Sequence, residues 1–139
     1  MIDRVLVPMD DSEMAEKALE YAFSVHPEAD ISVLTVVGGP TPHMGEAVGL
    51  SLADDLEEAA ETLATPIFES ARSIASEYGR DVTTIVRLGA PIRVIVREAA
   101  DYDVVIMGAH GRDIADRLLI GNVASTVTRR APVPVTIVR

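Results

Sequence analysis

The chain has 139 residues, a formal net charge of −10, 48% hydrophobic and 4% aromatic residues, and no cysteine. We expect one domain over residues 1–139 with an aliphatic core, because a chain of this length can bury a substantial core. The lack of cysteine excludes disulfides, thiol catalysis and cysteine-based metal sites, and the acidic balance argues against a nucleic-acid partner. No apolar run approaches membrane-spanning length and no signal peptide precedes the first strand, so a cytoplasmic protein without a membrane partner is expected.

The basic residues are nearly all of one kind. Of the 12 basic residues, Lys17 is lysine and the others are arginine. An acidic, lysine-poor surface is compatible with a halophilic protein, because concentrated salt screens the repulsion between carboxylates. The arginine-favouring codons of a GC-rich genome would produce the same composition, and both explanations stay open.

The first half of the chain alternates between predicted strands and helices. Arg4 to Met9 is predicted as the first strand, and Ser12 as the cap of a helix that Pro27 ends. Ile31 to Val37 is a second β-branched run and is predicted as the second strand. Thr41 to Leu50 has no strong periodicity and is predicted as a loop.

The second half continues the alternation. Apolar residues at spacings of three and four from Leu52 to Tyr78 predict a long helix, which Pro66 kinks and Gly79 ends. The alternating run from Val82 to Leu88 predicts a strand near a sheet edge. Pro91 suits the first position of a third helix. Such alternation of strands and helices is typical of βαβ units with a parallel sheet.

A short apolar run ending in glycines carries the clearest functional signal. Val104 to Met107 is predicted as a strand buried on both faces, and Gly108 and Gly111 follow it. After a polar loop, Asn122 behind Gly121 is predicted to cap a further helix. Free amides at a helix N-terminus beside glycine amides form a site for a phosphate. Tight turns would also use these glycines, but their place at the carboxyl end of a buried strand favours the phosphate site.

Segments along the whole chain resemble the universal stress protein family. Val5 to Ser12 is similar to the family's opening strand and aspartate, and Gly89 to Pro91 to its turn before the third helix, with Ala90 at a position that is usually polar. Met107 to Arg112 and Gly121 to Ala124 are similar to its phosphate loop. The last such segment, Ala131 to Val138, is similar to its closing strand.

The resemblance implies an α/β fold of the flavodoxin-like, adenine-nucleotide α-hydrolase-like kind. It has five parallel strands in the order 3-2-1-4-5 and helices on both faces. A nucleotide would lie across the carboxyl ends of strands one and four, where the strand order reverses. The family's ATP-binding branch carries Gly-x-x-Gly, nine residues, then Gly followed by Ser or Thr. The spacing from Gly111 to Gly121 fits this pattern, and Asn122 replaces the hydroxyl residue.

The resemblance also implies the ligand, namely ATP, with AMP or ADP as alternatives, and Mg²⁺ accompanying the nucleotide. By this likeness the adenine lies near the ends of the first two strands, the ribose near Asp10, and the phosphates on the glycine loop, which runs from Gly108 to Asn122. The predicted cofactor-binding residues are Pro8, Met9, Asp10, Val36, Met107, Gly108, Gly111, Arg112, Gly121, Asn122 and Val123. Arg112 and Arg117 are candidates for pairing with phosphates. Asp10 has a structural alternative as a helix cap, Val36 has one as core, and Asp10 and Asp11 are candidate Mg²⁺ contacts.

Four functions compete. A stress-response regulator that binds ATP is expected; the alternatives are a slow ATPase, a phospho-receiver domain, and a stress dimer that binds no nucleotide and acts through an unknown protein partner. No catalytic residue is predicted, because Lys17 lies far from any glycine loop and His110 has no partner spaced for nucleophilic catalysis. The receiver hypothesis lacks its aspartate and lysine at Arg87–Gly89 and Ile137–Arg139.

The last strand predicts a homodimer. Val135 to Val138 lies at a sheet edge in the implied strand order and is apolar on both faces. Natural proteins usually protect an exposed edge strand from pairing with another chain. Here the only such protection comes from Pro134 and Arg139, which flank the strand. Antiparallel pairing with a second copy would satisfy its free backbone groups under two-fold symmetry.

Overall fold

Five parallel strands form one sheet in a computed structural model that describes residues 1–38, 53–111 and 120–139. The strands are β1 (Arg4–Pro8), β2 (Asp30–Val37), β3 (Thr83–Leu88), β4 (Val104–Gly108) and β5 (Val135–Val138), in the order β3-β2-β1-β4-β5. The helices are α1 (Glu13–Val25), α2 (Ala53–Glu77), α3 (Pro91–Ala99) and α4 (Asn122–Arg130). The predicted fold class and strand order are confirmed.

Helices cover both faces of the sheet, and each face has its own apolar cluster. In β4, Val104 and Ile106 belong to one cluster and Val105 and Met107 to the other, as expected for a strand buried on both faces. The first cluster joins the sheet to α1 and α2 through residues such as Leu19, Phe23, Phe68 and Ile74. The second joins it to α3 and α4 through Val94, Ile95, Ala124 and Val127.

The structure confirms the predicted cap of α1, the predicted end of α2 and the predicted first residue of α3. The hydroxyl oxygen of Ser12 accepts a hydrogen bond from the amide of Ala15 at 3.1 Å and caps α1. Helix α2 continues through Pro66 as one element, and Gly79 ends it in the left-handed conformation with φ +66°. Pro91 is the first residue of α3. The kink at Pro66 stays a prediction.

Element boundaries differ from the prediction by about a residue. β1 ends at Pro8, although the Met9 amide still donates to the Leu34 carbonyl at 2.9 Å, and β3 begins at Thr83. The predicted loop from Thr41 to Leu50 lies outside the described residues. Within the described segments, no helix combines the length and the hydropathy needed to cross a membrane.

The Asp103 side chain joins the beginning of β1 to the beginning of β4 through hydrogen bonds. Its Oδ2 accepts hydrogen bonds from the amides of Asp3 and Arg4, both at 2.9 Å. These bonds, first that from Asp3 and then that from Arg4, lower the pKa of Asp103 below its ordinary value. A carboxyl group whose pKa is lower in the folded state stabilises the fold above its unfolded pKa, and this contribution is lost as the pH falls through the folded pKa.

The charge distribution predicts a salt-dependent stability. Between described residues one salt bridge forms, from Arg87 Nε to Glu98 Oε1 at 2.8 Å, against a formal net charge of −10. We expect the free energy of unfolding to rise with salt up to about 1 M, where the Debye length is roughly 3 Å and carboxylate repulsion is screened. Denaturant unfolding midpoints measured from low to molar chloride test this, and a flat profile would favour codon usage as the origin of the composition.

Candidate functional site

A cavity of about 400 Å³ opens at the carboxyl ends of β1 and β4, where the strand order reverses. It is bordered by the ends of β1 and β4, by β2, and by the first turns of α1, α3 and α4. Of the predicted binding residues, those that line it are Pro8, Met9, Asp10, Val36, Met107, Gly108, Gly111, Gly121, Asn122 and Val123. Arg112 and Arg117 lie outside the described residues. The structure therefore brings together every predicted cofactor-binding residue that it describes, whereas Asp11, a candidate Mg²⁺ contact, is not part of the lining.

One side of the cavity is apolar. Leu34 and Val36 are two residues apart on β2 and so lie on the same face of the sheet, where Leu34 pairs with Pro8 of β1. Ile95 of α3 and Met107 of β4 belong to the same apolar cluster as Leu34. This surface suits the flat, apolar face of a base better than a charged group.

Several lining residues are absent from the sequence-based prediction: Ser12, Ala15, Leu34, Pro91, Ile95, His110 and Ala124. Two of them carry a usable signal. Leu34 stands two positions before Val36 and so shares its side of a strand, and Ile95 stands four positions after Pro91 and so shares its side of a helix. The position of α3 over β2 and β4 is a tertiary feature, which periodicity along the chain does not specify.

The opposite side of the cavity is formed by the start of α4, and here the predicted cap is wrong. Asn122 is the first helical residue, and Gly121 is the N-cap, with φ −65° and ψ 162° and no side-chain cap. The Gly121 amide donates to the Ala109 carbonyl at 2.6 Å, which joins the N-cap to the residue after β4. The helix therefore starts at Asn122, one residue earlier than a cap at Asn122 would place it.

The first amides of α4 are available to an anion. The earliest hydrogen bond within the helix runs from the Ser125 amide to the Gly121 carbonyl at 2.9 Å. The amides of Asn122, Val123 and Ala124 therefore precede the intrahelical ladder and lack acceptors within it. Because all three residues line the cavity, their positive dipole end lies at its border.

Asp10 links the start of α1 to the glycine loop. Its Oδ1 accepts a hydrogen bond from the Ser12 amide at 2.9 Å, so it supports the residue that caps α1 instead of capping the helix itself. A Cβ atom added at Gly111 would lie 2.7 Å from Asp10 Oδ2. The carboxylate therefore occupies the space that a side chain at position 111 would need.

Gly108 has a packing role that its motif does not predict. A Cβ atom there would lie 2.7 Å from Met14 Cγ and 3.0 Å from the Met14 backbone C and O. The glycine allows β4 to pack closely against α1. Packing within the fold is therefore sufficient to require a glycine here.

The remaining ionisable group of the cavity lining is His110. Its Nδ1 lies 3.3 Å from the Gly111 carbonyl oxygen, and its Nε2 is buried without a hydrogen-bond partner among the residues the structure describes. Over the same residues, no group of three or more His, Asp or Glu side chains is placed to hold a metal ion.

The whole chain, residues 1–139, matches the model of the universal stress protein family. The chain belongs to the universal stress protein family. This member is 27% identical over 148 residues to the universal stress protein YxiE of Bacillus subtilis, and the match covers 100% of both chains.

Several solved structures have folds similar to that of this universal stress protein. The hypothetical protein MJ0577 is 27% identical, with a TM-score of 0.81 over 99% of this chain and 96% of the other. A universal stress protein in complex with cAMP is 23% identical, with a TM-score of 0.74 over 99% of this chain and 97% of the other. The second likeness is one of fold alone.

Proposed function

We propose that this protein is a stress-response regulator that binds ATP in the cavity between β2, β4, α3 and α4. The observation that carries the proposal is the division of the cavity into an apolar side and an amide-lined side. Leu34, Val36 and Ile95 suit an adenine ring, and the first amides of α4 suit phosphates. The reported cAMP complex of the same fold supports an adenine nucleotide as the ligand.

The charge of the cavity lining gives Mg²⁺ a role in this proposal. Asp10 lies against Gly111, so phosphates on the glycine loop would approach a carboxylate. A divalent cation between the carboxylate and the phosphate oxygens would remove that repulsion, and both are ligands that Mg²⁺ prefers. We therefore propose that ATP binds with Mg²⁺, and that Asp10 contributes to holding the ion.

Asn122 is the position at which this chain departs from the ATP-binding pattern. Its side chain is exposed at the first turn of α4 and lines the cavity. An amide can donate a hydrogen bond to a phosphate oxygen as a hydroxyl does, although it occupies more space. We propose that Asn122 takes over that contact, which makes nucleotide affinity sensitive to the size of this side chain.

A thermal shift experiment tests nucleotide binding. We expect ATP with Mg²⁺ to raise the melting temperature relative to no ligand, and AMP to do so less because it offers fewer phosphate contacts. A ligand at a hundredfold its Kd stabilises the folded state by about 2.7 kcal/mol. An unchanged melting temperature with every nucleotide, with and without Mg²⁺, would leave the dimer that acts without nucleotide as the better account.

We also propose that the protein forms a two-fold homodimer through β5. The Pro134 carbonyl accepts a hydrogen bond from the Val105 amide of β4 at 3.0 Å, and the Val138 carbonyl accepts one from the amide of Ala109, just after β4, at 2.8 Å. Backbone groups alternate in direction along a strand, so those of Val135 and Ile137 point away from β4, toward the open edge. A second β5 pairing there would satisfy them.

Ile137→Lys is expected to shift the dimer toward monomer, because a charge would be placed at the centre of the paired edge. Light scattering on a size-exclusion column measures the mass. Val133→Lys is the matched control, since Val133 packs against the same apolar cluster but lies outside the strand, and it should keep the dimer. A native protein that elutes as a monomer would refute the proposal.

A further inference from the structure

Two hydrogen bonds of different kinds hold the residue that follows β1 against β2. The Met9 amide donates to the Leu34 carbonyl at 2.9 Å, and the Thr35 hydroxyl donates to the Met9 carbonyl at 3.2 Å. A side chain of β2 therefore extends the contact between the two strands past Pro8, the last residue of β1.

Thr35 makes this bond from outside the cavity. Its neighbours on β2, Leu34 and Val36, line the cavity, and Thr35 does not. Successive side chains of a strand lie on opposite faces of a sheet, so Thr35 shares the face of Val33, which belongs to the first apolar cluster. Thr35 is 4% exposed. Because burial removes its hydroxyl from water, the bond to the Met9 carbonyl offsets the cost of burying a polar group.

The bond from Thr35 also constrains the next residue, Asp10. The Met9 carbonyl and the Asp10 amide belong to one planar peptide unit, which includes the Asp10 Cα. A hydrogen bond that holds the carbonyl oxygen therefore holds the plane from which the Asp10 side chain starts. One oxygen of that side chain accepts from the Ser12 amide at 2.9 Å, and the other lies beside Gly111.

We propose that Thr35 is a positioning residue of the nucleotide site. Its hydroxyl orients the peptide between Met9 and Asp10, and this orientation holds the Asp10 carboxylate where it binds Mg²⁺. The consequence for affinity rests on the proposed binding of ATP with Mg²⁺, whereas the consequence for the position of Asp10 does not. The two consequences are therefore tested separately.

The first experiment measures hydrogen exchange of backbone amides by NMR in the protein without ligand. Thr35→Val removes the hydroxyl and keeps the side chain nearly the same shape. The Ser12 amide, which donates to Asp10 Oδ1, should then exchange about five- to tenfold faster, because one hydrogen bond fewer holds the segment. The Asp30 amide, which donates to the Asp3 carbonyl at the start of β2, should keep its native rate. A native rate at Ser12, or equal acceleration of both amides, would overturn the proposal.

Two further variants separate the hydroxyl of Thr35 from its methyl group. Thr35→Ser keeps the hydroxyl and should restore the native exchange rate of the Ser12 amide. Thr35→Ala lacks the hydroxyl and should behave as Thr35→Val does, so it also serves if the valine variant fails to fold. A serine variant with exchange as fast as that of the valine variant would assign the effect to packing and overturn the proposal.

The second experiment measures the affinity for ATP in the presence of Mg²⁺ by calorimetry. Thr35→Val should bind about five- to tenfold more weakly than the native protein, and Thr35→Ser should bind as the native protein does. Ser32→Ala is the matched control, because Ser32 is also a buried hydroxyl residue of β2, 7% exposed, outside the cavity lining. Its affinity should stay native. Native affinity in Thr35→Val would overturn the proposal.

A double-mutant cycle tests whether Thr35 acts through the Asp10 carboxylate. Asp10→Asn replaces the carboxylate with a neutral amide, which attracts Mg²⁺ less. In this background, Thr35→Val should change the affinity by less than about twofold. The same loss in both backgrounds would overturn the proposal. If the native protein binds no nucleotide, the proposed function fails, and hydrogen exchange still decides whether Thr35 positions Asp10.

Discussion

Replacing Gly111 with valine is expected to weaken ATP binding by more than about 100-fold while the protein stays folded. A side chain at this position would begin 2.7 Å from Asp10 Oδ2 and would take up space in the cavity lining. Losing two hydrogen bonds to a charged phosphate, each contributing about 1.5–3 kcal/mol, accounts for a change of this size. The fold should survive because the contacted atom is the end of a flexible carboxylate side chain. Calorimetric titration measures the affinity, and circular dichroism checks the fold.

Gly38→Val is the matched control for this substitution. A Cβ atom at Gly38 would meet nothing within 4 Å, and the residue is not part of the cavity lining. Its affinity for ATP should equal that of the native protein. Nearly native binding by Gly111→Val would show that nucleotide does not contact the loop at this position.

Gly108→Ala is expected to destabilise the fold by about 1–3 kcal/mol, the usual cost of adding a methyl group to a well-packed contact. The added Cβ would lie 2.7 Å from Met14 Cγ and 3.0 Å from backbone atoms of the same residue. A flexible side chain can move aside, but the backbone of α1 can yield only if the helix shifts. Urea unfolding measures the change in the free energy of unfolding.

A double-mutant cycle separates the two contacts at Gly108. Met14→Ala removes the Cγ atom and leaves the backbone atoms in place, so it should recover part of the loss in the Gly108→Ala background. Additive effects of the two substitutions on the free energy of unfolding would show that the Met14 side chain is not the reason why position 108 requires glycine. Full stability of Gly108→Ala would contradict the packing explanation.

The fold was predictable because its signals are local and agree with one another. The cap at Ser12, the stop at Gly79 and the two-sided burial of Val104 to Met107 each follow from a few neighbouring residues, and the structure confirms them. The strand order was not contained in those signals, since alternation predicts parallel pairing but not which strands are neighbours. The resemblance of whole segments supplied it.

The sequence predicted the site residues that belong to short local motifs. It did not predict those features of the site that depend on how elements far apart in the sequence pack together. The cap at Asn122 was wrong because the helix start depends on a hydrogen bond between Gly121 and Ala109, twelve residues earlier. The purpose of Gly108 was missed because Met14 reaches it from another element. Ile95 was missed because its place in the cavity depends on how α3 packs over the sheet.

Calorimetric titration of the native protein with ATP in the presence of Mg²⁺ tests the central claim most directly. The account predicts saturable binding at one site per chain, lost in Gly111→Val and retained in Gly38→Val. No binding by the native protein, at concentrations where it is folded, would contradict a nucleotide site in this cavity and leave a dimer that acts through its surface.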